Sequence, residues 1–231
     1  MSTVNIATID GSQTTFDSDQ LAELESGIRG RVMLAGQHGY DQAREIWNGI
    51  FDKKPAVIIQ CVGTSDVVRA VNFIRENHLL SSVKGGGHNS AGTGACDDGV
   101  MIDLSQMRSV TVDRKNATVR VDGGALLGDV DHETQLYGLA VSGGIVSHTG
   151  VGGLTLGGGY GWIGRKYGMT IDNLISAELV TAKGEVVTAS ADENPDLFWA
   201  VRGGGGNFGI ATTFEFKCAP IGTEVLSGLI V

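Results

Sequence analysis

The three cysteines, Cys61, Cys96 and Cys218, stand far apart, and no two of them form a CxxC pair. An odd number at such wide spacing argues against a disulfide framework and against a thiolate metal centre. The thiols are read as reduced, and no metal site is expected. Proline is as scarce, at three residues, and no low-complexity linker divides the chain. No apolar run is long enough to span a bilayer. The opening residues, M-S-T-V-N-I-A-T-I-D, hold neither a basic start nor an apolar stretch, so no signal peptide is expected and a cytoplasmic location is. Positive charge is also short: 17 Lys and Arg against 26 Asp and Glu give a formal net charge of −9. That balance argues against nucleic acid and against an anionic membrane surface as partners.

Glycine is in excess instead. Its 36 residues follow no collagen-like period and gather in a few loops, which points to backbone–ligand contact rather than disorder. The first loop is V-K-G-G-G-H-N-S-A-G-T-G, Val83 to Gly94. Glycines allow positive φ and close approach, and successive free N–H groups in such a turn form a concave nest suited to phosphate oxygens. His88 would stand at the rim of that nest. Two readings remain open at this point: a phosphate cradle with a functional nitrogen beside it, or a surface turn with a solvated histidine. A second glycine field, from Gly143 to Gly161, favours the first.

The remaining pattern is that of an α+β chain. Residues to about Thr15 read as an extended arm, and Leu21, Leu24 and Ile28 as a short helix capped by Ser18. No firm element is expected from Arg31 to Lys54, where Trp47 and Phe51 are expected to pack inward. Ala56 to Cys61 is a continuous apolar run suited to a strand buried on both faces. Thr64, Ser65 and Asp66 can cap a helix whose buried stripe is Val67, Val71 and Ile74. Ser82–Lys84 and Val100–Leu104 are strands, so the His88 loop falls at the carboxyl end of a β-α-β unit, where ligands tend to bind. Hairpins follow at 109–122 and 174–189, with a helix from Leu126 to Tyr137 between them. A helix beginning at Asn194-Pro195 and an alternating strand, Ile210 to Phe216, close the pattern. The expected architecture is two-lobed: a small β-α-β lobe at about 31–104 and a larger hairpin-rich lobe at about 105–220. The glycine fields would face each other across the seam, where ligands prefer to sit.

The run from Ser142 to Gly168, S-G-G-I-V-S-H-T-G-V-G-G-L-T-L-G-G-G-Y-G-W-I-G-R-K-Y-G, joined to K-G-G-G-H-N-S-A-G, carries a family resemblance. So do Val121-Asp122-Gly123-Gly124-Ala125 and D-L-F-W-A-V-R with its glycine run. From about Arg31 to Pro220 the chain resembles the PCMH-type FAD-binding domain of the vanillyl-alcohol oxidase and p-cresol methylhydroxylase superfamily. Its nearest likeness is to the berberine-bridge-enzyme-like and 6-hydroxynicotine-oxidase-like branch. The resemblance implies an elongated FAD between the lobes, in an oxidoreductase that removes a hydride from a small alcohol, sugar or amine. It implies pyrophosphate contacts from Gly85, Gly86, Gly87, Asn89 and Ser90. Thr149, Gly150, Gly152 and Gly153 would approach the ribityl chain and phosphates, with Gly158, Gly159 and Tyr160 continuing that wall. Gly157 would only bend the chain, and Ile210 would pass the adenine end. His88 holds the position that, in the family, bonds to the flavin 8α carbon, which fixes the ring and tends to raise its potential.

Two departures alter the expectation. Many relatives make a second link from a cysteine in G-x-C-P-T-x-G-x-G-G; Val146 stands there and cannot form a thioether, so a single attachment is expected. Lys84 stands where arginine is frequent and could offer a point charge without the bidentate fork. His148 could line the flavin pocket. The family continues into a substrate domain, whereas residues 221–231 read as its truncated start. Val225, Leu226, Leu229 and Ile230 are therefore expected to form an exposed strand awaiting a complementary half or second chain, and the catalytic base stays unassigned. Two other readings are a flavin-binding fragment without activity of its own and a reductase with non-covalent FAD, which His88 disfavours.

Overall fold

The computed structural model describes residues 3–222 and 224–228. The chain opens with an antiparallel hairpin, β1 (Val4–Ala7) and β2 (Gln13–Phe16), where an extended arm was expected. Ile6 and Phe16 decide it, since each is essentially fully buried in the first core. Helix α1 (Ser18–Ser26) is capped one residue earlier than expected: Asp17 accepts from the amides of Asp19 and Gln20, and Gln20 returns a bond to the Asp17 amide.

Strand β3 (Arg31–Leu34) and helix α2 (Tyr40–Arg44) occupy the stretch left without firm elements. Then come β4 (Val57–Gln60), α3 (Thr64–Glu76), β5 (Ser81–Lys84) and β6 (Val100–Asp103). These strands form one sheet in the order β3-β4-β6-β5, with β3 antiparallel and the others parallel. The period-2 rule explains why β4 is apolar at every position. Val57 and Ile59 face α1 and α3, while Ile58 faces a second small core with Met33, Tyr40 and Met101.

Asp66 does not cap α3. Gly63 holds the N-cap position, and the buried Asp66 carboxylate accepts from the amides of Arg29 (2.8 Å), Gly30 (3.1 Å) and Val62 (3.0 Å). It thereby ties the end of β4 to the turn after α1. Asp66→Ala would leave those donors without partners, and its urea midpoint is expected to fall by the equivalent of about 3 kcal/mol.

The second lobe contains β7 (Val110–Asp113), β8 (Thr118–Asp122), α4 (Leu127–Thr134), β9 (Leu139–Ala140), α5 (Val151–Leu156) and α6 (Gly164–Tyr167). It continues with β10 (Leu174–Val180), β11 (Val186–Ser190), α7 (Pro195–Val201), β12 (Ile210–Lys217) and β13 (Ala219–Pro220). An antiparallel sheet runs β11-β10-β12-β8-β7, and the short β9 pairs with β13. Central strand β12 does not alternate as expected. Ala211, Thr212, Thr213 and Phe214 are all buried, and Thr212 is accommodated because its hydroxyl donates to Glu178 Oε1 at 2.7 Å.

That carboxylate also joins the lobes, because Thr64 at the start of α3 donates to the same Oε1 at 2.8 Å. Val180 at the end of β10 belongs to the first lobe's core. The two layers are thus fixed against each other by a polar node and an apolar contact, which sets the width of the seam. At the carboxyl end Val225 and Leu226 are exposed but lie in no strand, while Leu229 and Ile230 fall outside the described residues. Among the described residues no helix is long and apolar enough to cross a membrane.

Candidate cofactor site

The two glycine loops touch at the seam. A Cβ added at Gly86 would stand 2.3 Å from the Gly150 nitrogen, and one added at Gly150 would stand 2.4 Å from the Gly86 nitrogen. Only hydrogen side chains permit that backbone approach. A Cβ on Gly152 would meet the Gly123 carbonyl at 2.8 Å, so the loop after β8 joins the same junction. The Val151 amide donates to the Ala125 carbonyl at 2.9 Å, which locks the second loop onto that turn.

Around this junction lies a cavity of about 920 Å³, inside the range of roughly 300–1,000 Å³ usual for small-molecule and cofactor sites. Val71, Ile74, Leu79, Thr181, Asn207 and Ile210 are among the residues that line it. Among the described residues, no carbonyl or side chain accepts from the backbone amides of Gly85 through Ser90. Six successive donors are thus left for something other than the protein, and their nest suits phosphate oxygens.

His88 ends the glycine run and lines both this cavity and a smaller one of about 360 Å³. Its Nε2 lies 2.7 Å from His148 Nδ1, while its own Nδ1 has only Thr149 Oγ1 at 3.5 Å. Its ring stacks on the Trp47 indole, with centroids 5.4 Å apart and planes 17° apart. Burial, and then the neighbouring His148, hold the His88 pKa below the ordinary histidine value, which keeps the ring neutral at pH 7.

Lys84 is buried, and its ammonium donates to the Ala43 carbonyl, with the Glu45 carbonyl at 3.5 Å and Asp103 Oδ1 at 3.8 Å. Burial lowers its pKa against the opposing pull of Asp103 and Glu45. Its charge is thus spent on joining β5 to the segment after α2. Lys84 lines the cavity, but its ammonium is engaged by protein groups and is not a free point charge.

A family model described as an FAD binding domain matches residues 55–190, more than half of the chain. The chain belongs to this FAD-binding family. The (R)-6-hydroxynicotine oxidase of Paenarthrobacter nicotinovorans is 39% identical over 203 residues, covering 88% of this chain and 44% of that protein. The crystal structure of 6-hydroxy-D-nicotine oxidase from Arthrobacter nicotinovorans matches with a TM-score of 0.81 and 40% identity, over 83% of this chain and 42% of that one. A glucooligosaccharide oxidase from Acremonium strictum, whose FAD is 6-S-cysteinyl and 8α-N1-histidyl, matches with a TM-score of 0.79 and 37% identity, over 86% and 42%. The chain spans less than half the length of the relatives it matches. The fold is the PCMH-type FAD-binding domain, and the cofactor of the family is FAD.

The residues singled out in the sequence divide into two groups. Lys84, Gly85, Gly86, Gly87, His88, Asn89, Thr149, Gly150, Gly152, Gly153 and Ile210 line the larger cavity of the FAD-binding domain. Ser90, Val146, Gly158, Gly159 and Tyr160 do not. Gly158 and Gly159 pack instead against the turn at Thr170, whose amide donates to the Gly159 carbonyl at 2.9 Å. Tyr160 is 76% exposed, and Val146 is partly so. Gly157, read as a bend, lines the cavity, as do Gly205, Gly206 and Asn207. The G-G-G-G-N-F-G run was visible, but which of its residues face the cavity depends on the turn between α7 and β12. Trp47, expected in the core, is 63% exposed and stacked on His88.

Proposed function

We propose that this chain is the cofactor-holding part of an FAD-linked oxidase or dehydrogenase that removes a hydride from a small alcohol, sugar or amine. In this reading FAD is attached once, through His88. The observation that carries it is His88 itself, an imidazole within a run of six unpaired amides, with Nδ1 nearly free and Nε2 engaged. Gly85, Gly86, Gly87 and Asn89 would bind the pyrophosphate through their amides, while Ser90 lies outside the cavity. Thr149, Gly150, Gly152 and Gly153 would form the facing wall, and Ile210 the adenine end. FAD, when bound, would supply a two-electron acceptor, and His88 would hold it through a bond from its imidazole to the flavin 8α carbon.

Attachment at a single site is supported by the rest of the chain. Val146 has no nucleophile, and burial raises the pKa of all three cysteine thiols, Cys218 to about 11. None of them is a ready thiolate. Because the chain spans under half of its relatives, the groups that hold and deprotonate substrate are assigned to a complementary half. The 231-residue chain alone would therefore keep flavin without turning substrate over.

A panel of alcohols, sugars and amines, assayed with oxygen and with a dye acceptor, tests this reading. The protein carrying both halves should reduce its flavin with at least one class, and the 231-residue chain should reduce it with none. Full turnover by the short chain as a monodisperse species would contradict the division of labour.

A further inference from the structure

The segment 43–50 runs along the outer side of the glycine–histidine loop and is bonded to it repeatedly. The Ala43 carbonyl accepts from Lys84, at the root of the loop. The Trp47 amide donates to the Gly87 carbonyl at 3.0 Å. Asn48 Nδ2 donates to the Ser90 carbonyl at 2.8 Å. A Cβ added at Gly87 would stand 3.5 Å from Ile46 Cα, so the two segments run close together here as well. These bonds place an indole, 63% exposed to solvent, face to face with the one imidazole of the loop. A large aromatic left that exposed buries little apolar area, so its contribution lies in what it stacks on.

His88 is thereby held on two sides. The Trp47 face fixes the plane of its ring, and His148 Nδ1 at 2.7 Å fixes which way its Nε2 points. When Nε2 carries the proton and donates to His148, Nδ1 is left with its lone pair and one long contact to Thr149. Neither residue is needed to fill the core, because both are exposed. We propose that Trp47 and His148 are positioning residues that hold His88 in one ring plane and one tautomer, with Nδ1 free to bond to the cofactor. The proposal rests on the attachment of FAD through His88.

The test uses apoprotein from riboflavin-limited cells, mixed with FAD, with acid-precipitable flavin followed over time. Trp47→Ala and His148→Ala are each expected to slow covalent incorporation about tenfold or more, as loss of orientation does. Trp47→Phe retains a ring face and His148→Asn retains an acceptor, so both should recover to within about threefold of the unmutated rate. A second readout needs no flavin: nitrogen-15 NMR of the apoprotein imidazoles. His88 Nδ1 should show the unprotonated shift in the unmutated protein and an averaged one in His148→Ala, and the upfield ring-current shift of the His88 protons should vanish in Trp47→Ala. Unchanged incorporation rates in both alanine variants, with the His88 shifts unmoved, would overturn the inference and leave attachment standing. Absence of covalent flavin from the unmutated protein would overturn the attachment reading, and the inference with it.

Discussion

Gly86→Val and Gly150→Val are each expected to abolish FAD retention while leaving the secondary structure in place. At both positions the intruding Cβ meets backbone: the Gly150 nitrogen and Cα at 2.3 and 2.5 Å in one case, the Gly86 nitrogen and Cα at 2.4 and 2.8 Å in the other. Neither neighbour can swing aside as a side chain would. The Gly150 segment is pinned through Val151 to Ala125, and the Gly86 segment is pinned through Gly87 to Trp47. The strain must therefore be relieved by opening the seam. Overpacking of this kind costs about 1–3 kcal/mol where neighbours can relax, and the upper end applies here. About 3 kcal/mol corresponds to at least a hundredfold loss of affinity. Equilibrium dialysis of the apoprotein with FAD reads that loss, with thermal melts alongside. Gly153→Ala is the control for stability. Its Cβ would meet nothing within 4 Å, although the residue lies in the same motif and lines the same cavity. A glycine-to-alanine change inside a helix is expected to stabilise by about 1 kcal/mol. If the valine variants retain FAD at the unmutated affinity, the contact between the loops does not build the site.

His88→Ala should release all flavin to the supernatant on acid precipitation, because the single attachment is assigned to His88 and Val146 offers no second link. Non-covalent binding should persist in this variant, since the amides of Gly85 to Ser90 belong to the backbone and survive the substitution. Attachment should also depend on pH in a definite direction. A protonated imidazole has no lone pair at Nδ1, so the rate falls as pH drops through the His88 pKa. Burial and His148 hold that pKa below the ordinary value of 6.5, so the rate should stay level through neutrality and fall only under more acid conditions. A midpoint above that of free histidine would mean that the ring is stabilised as the imidazolium, contrary to its surroundings.

The parts of the fold that were legible in the sequence are those in which local pattern and tertiary role agree. The apolar run at Val57–Ile59, the helical stripe of Val67 and Val71, and the 110–122 and 174–190 hairpins all appear where the pattern placed them. The N-terminal hairpin and β3 were illegible because their pairing is decided elsewhere. Ile6 and Phe16 need the α3 core beneath them, and Arg31 to Leu34 need β4 alongside. The site divides in the same way. A glycine cluster marks a loop, but only the opposite backbone separates Gly86, held against Gly150, from Gly159, held against Thr170. Lys84 read as an available point charge because the sequence does not reveal that the carbonyls of Ala43 and Glu45 enclose it. Trp47 read as core for a similar reason. Its partner is an imidazole 41 positions away, brought to it by a strap whose hydrogen bonds run through the backbone.

The most direct measurement is peptide mapping of the unmutated protein after acid precipitation, with flavin absorbance and mass read on every peptide. The polypeptide should stay yellow, and the flavin mass should fall on the peptide containing His88 and on no other. Because Cys96 lies on the same stretch as His88 between Lys84 and Arg108, the modified side chain is read by fragmentation; flavin free in the supernatant, or carried on the side chain of Cys61, Cys96 or Cys218, would contradict attachment through the glycine–histidine loop.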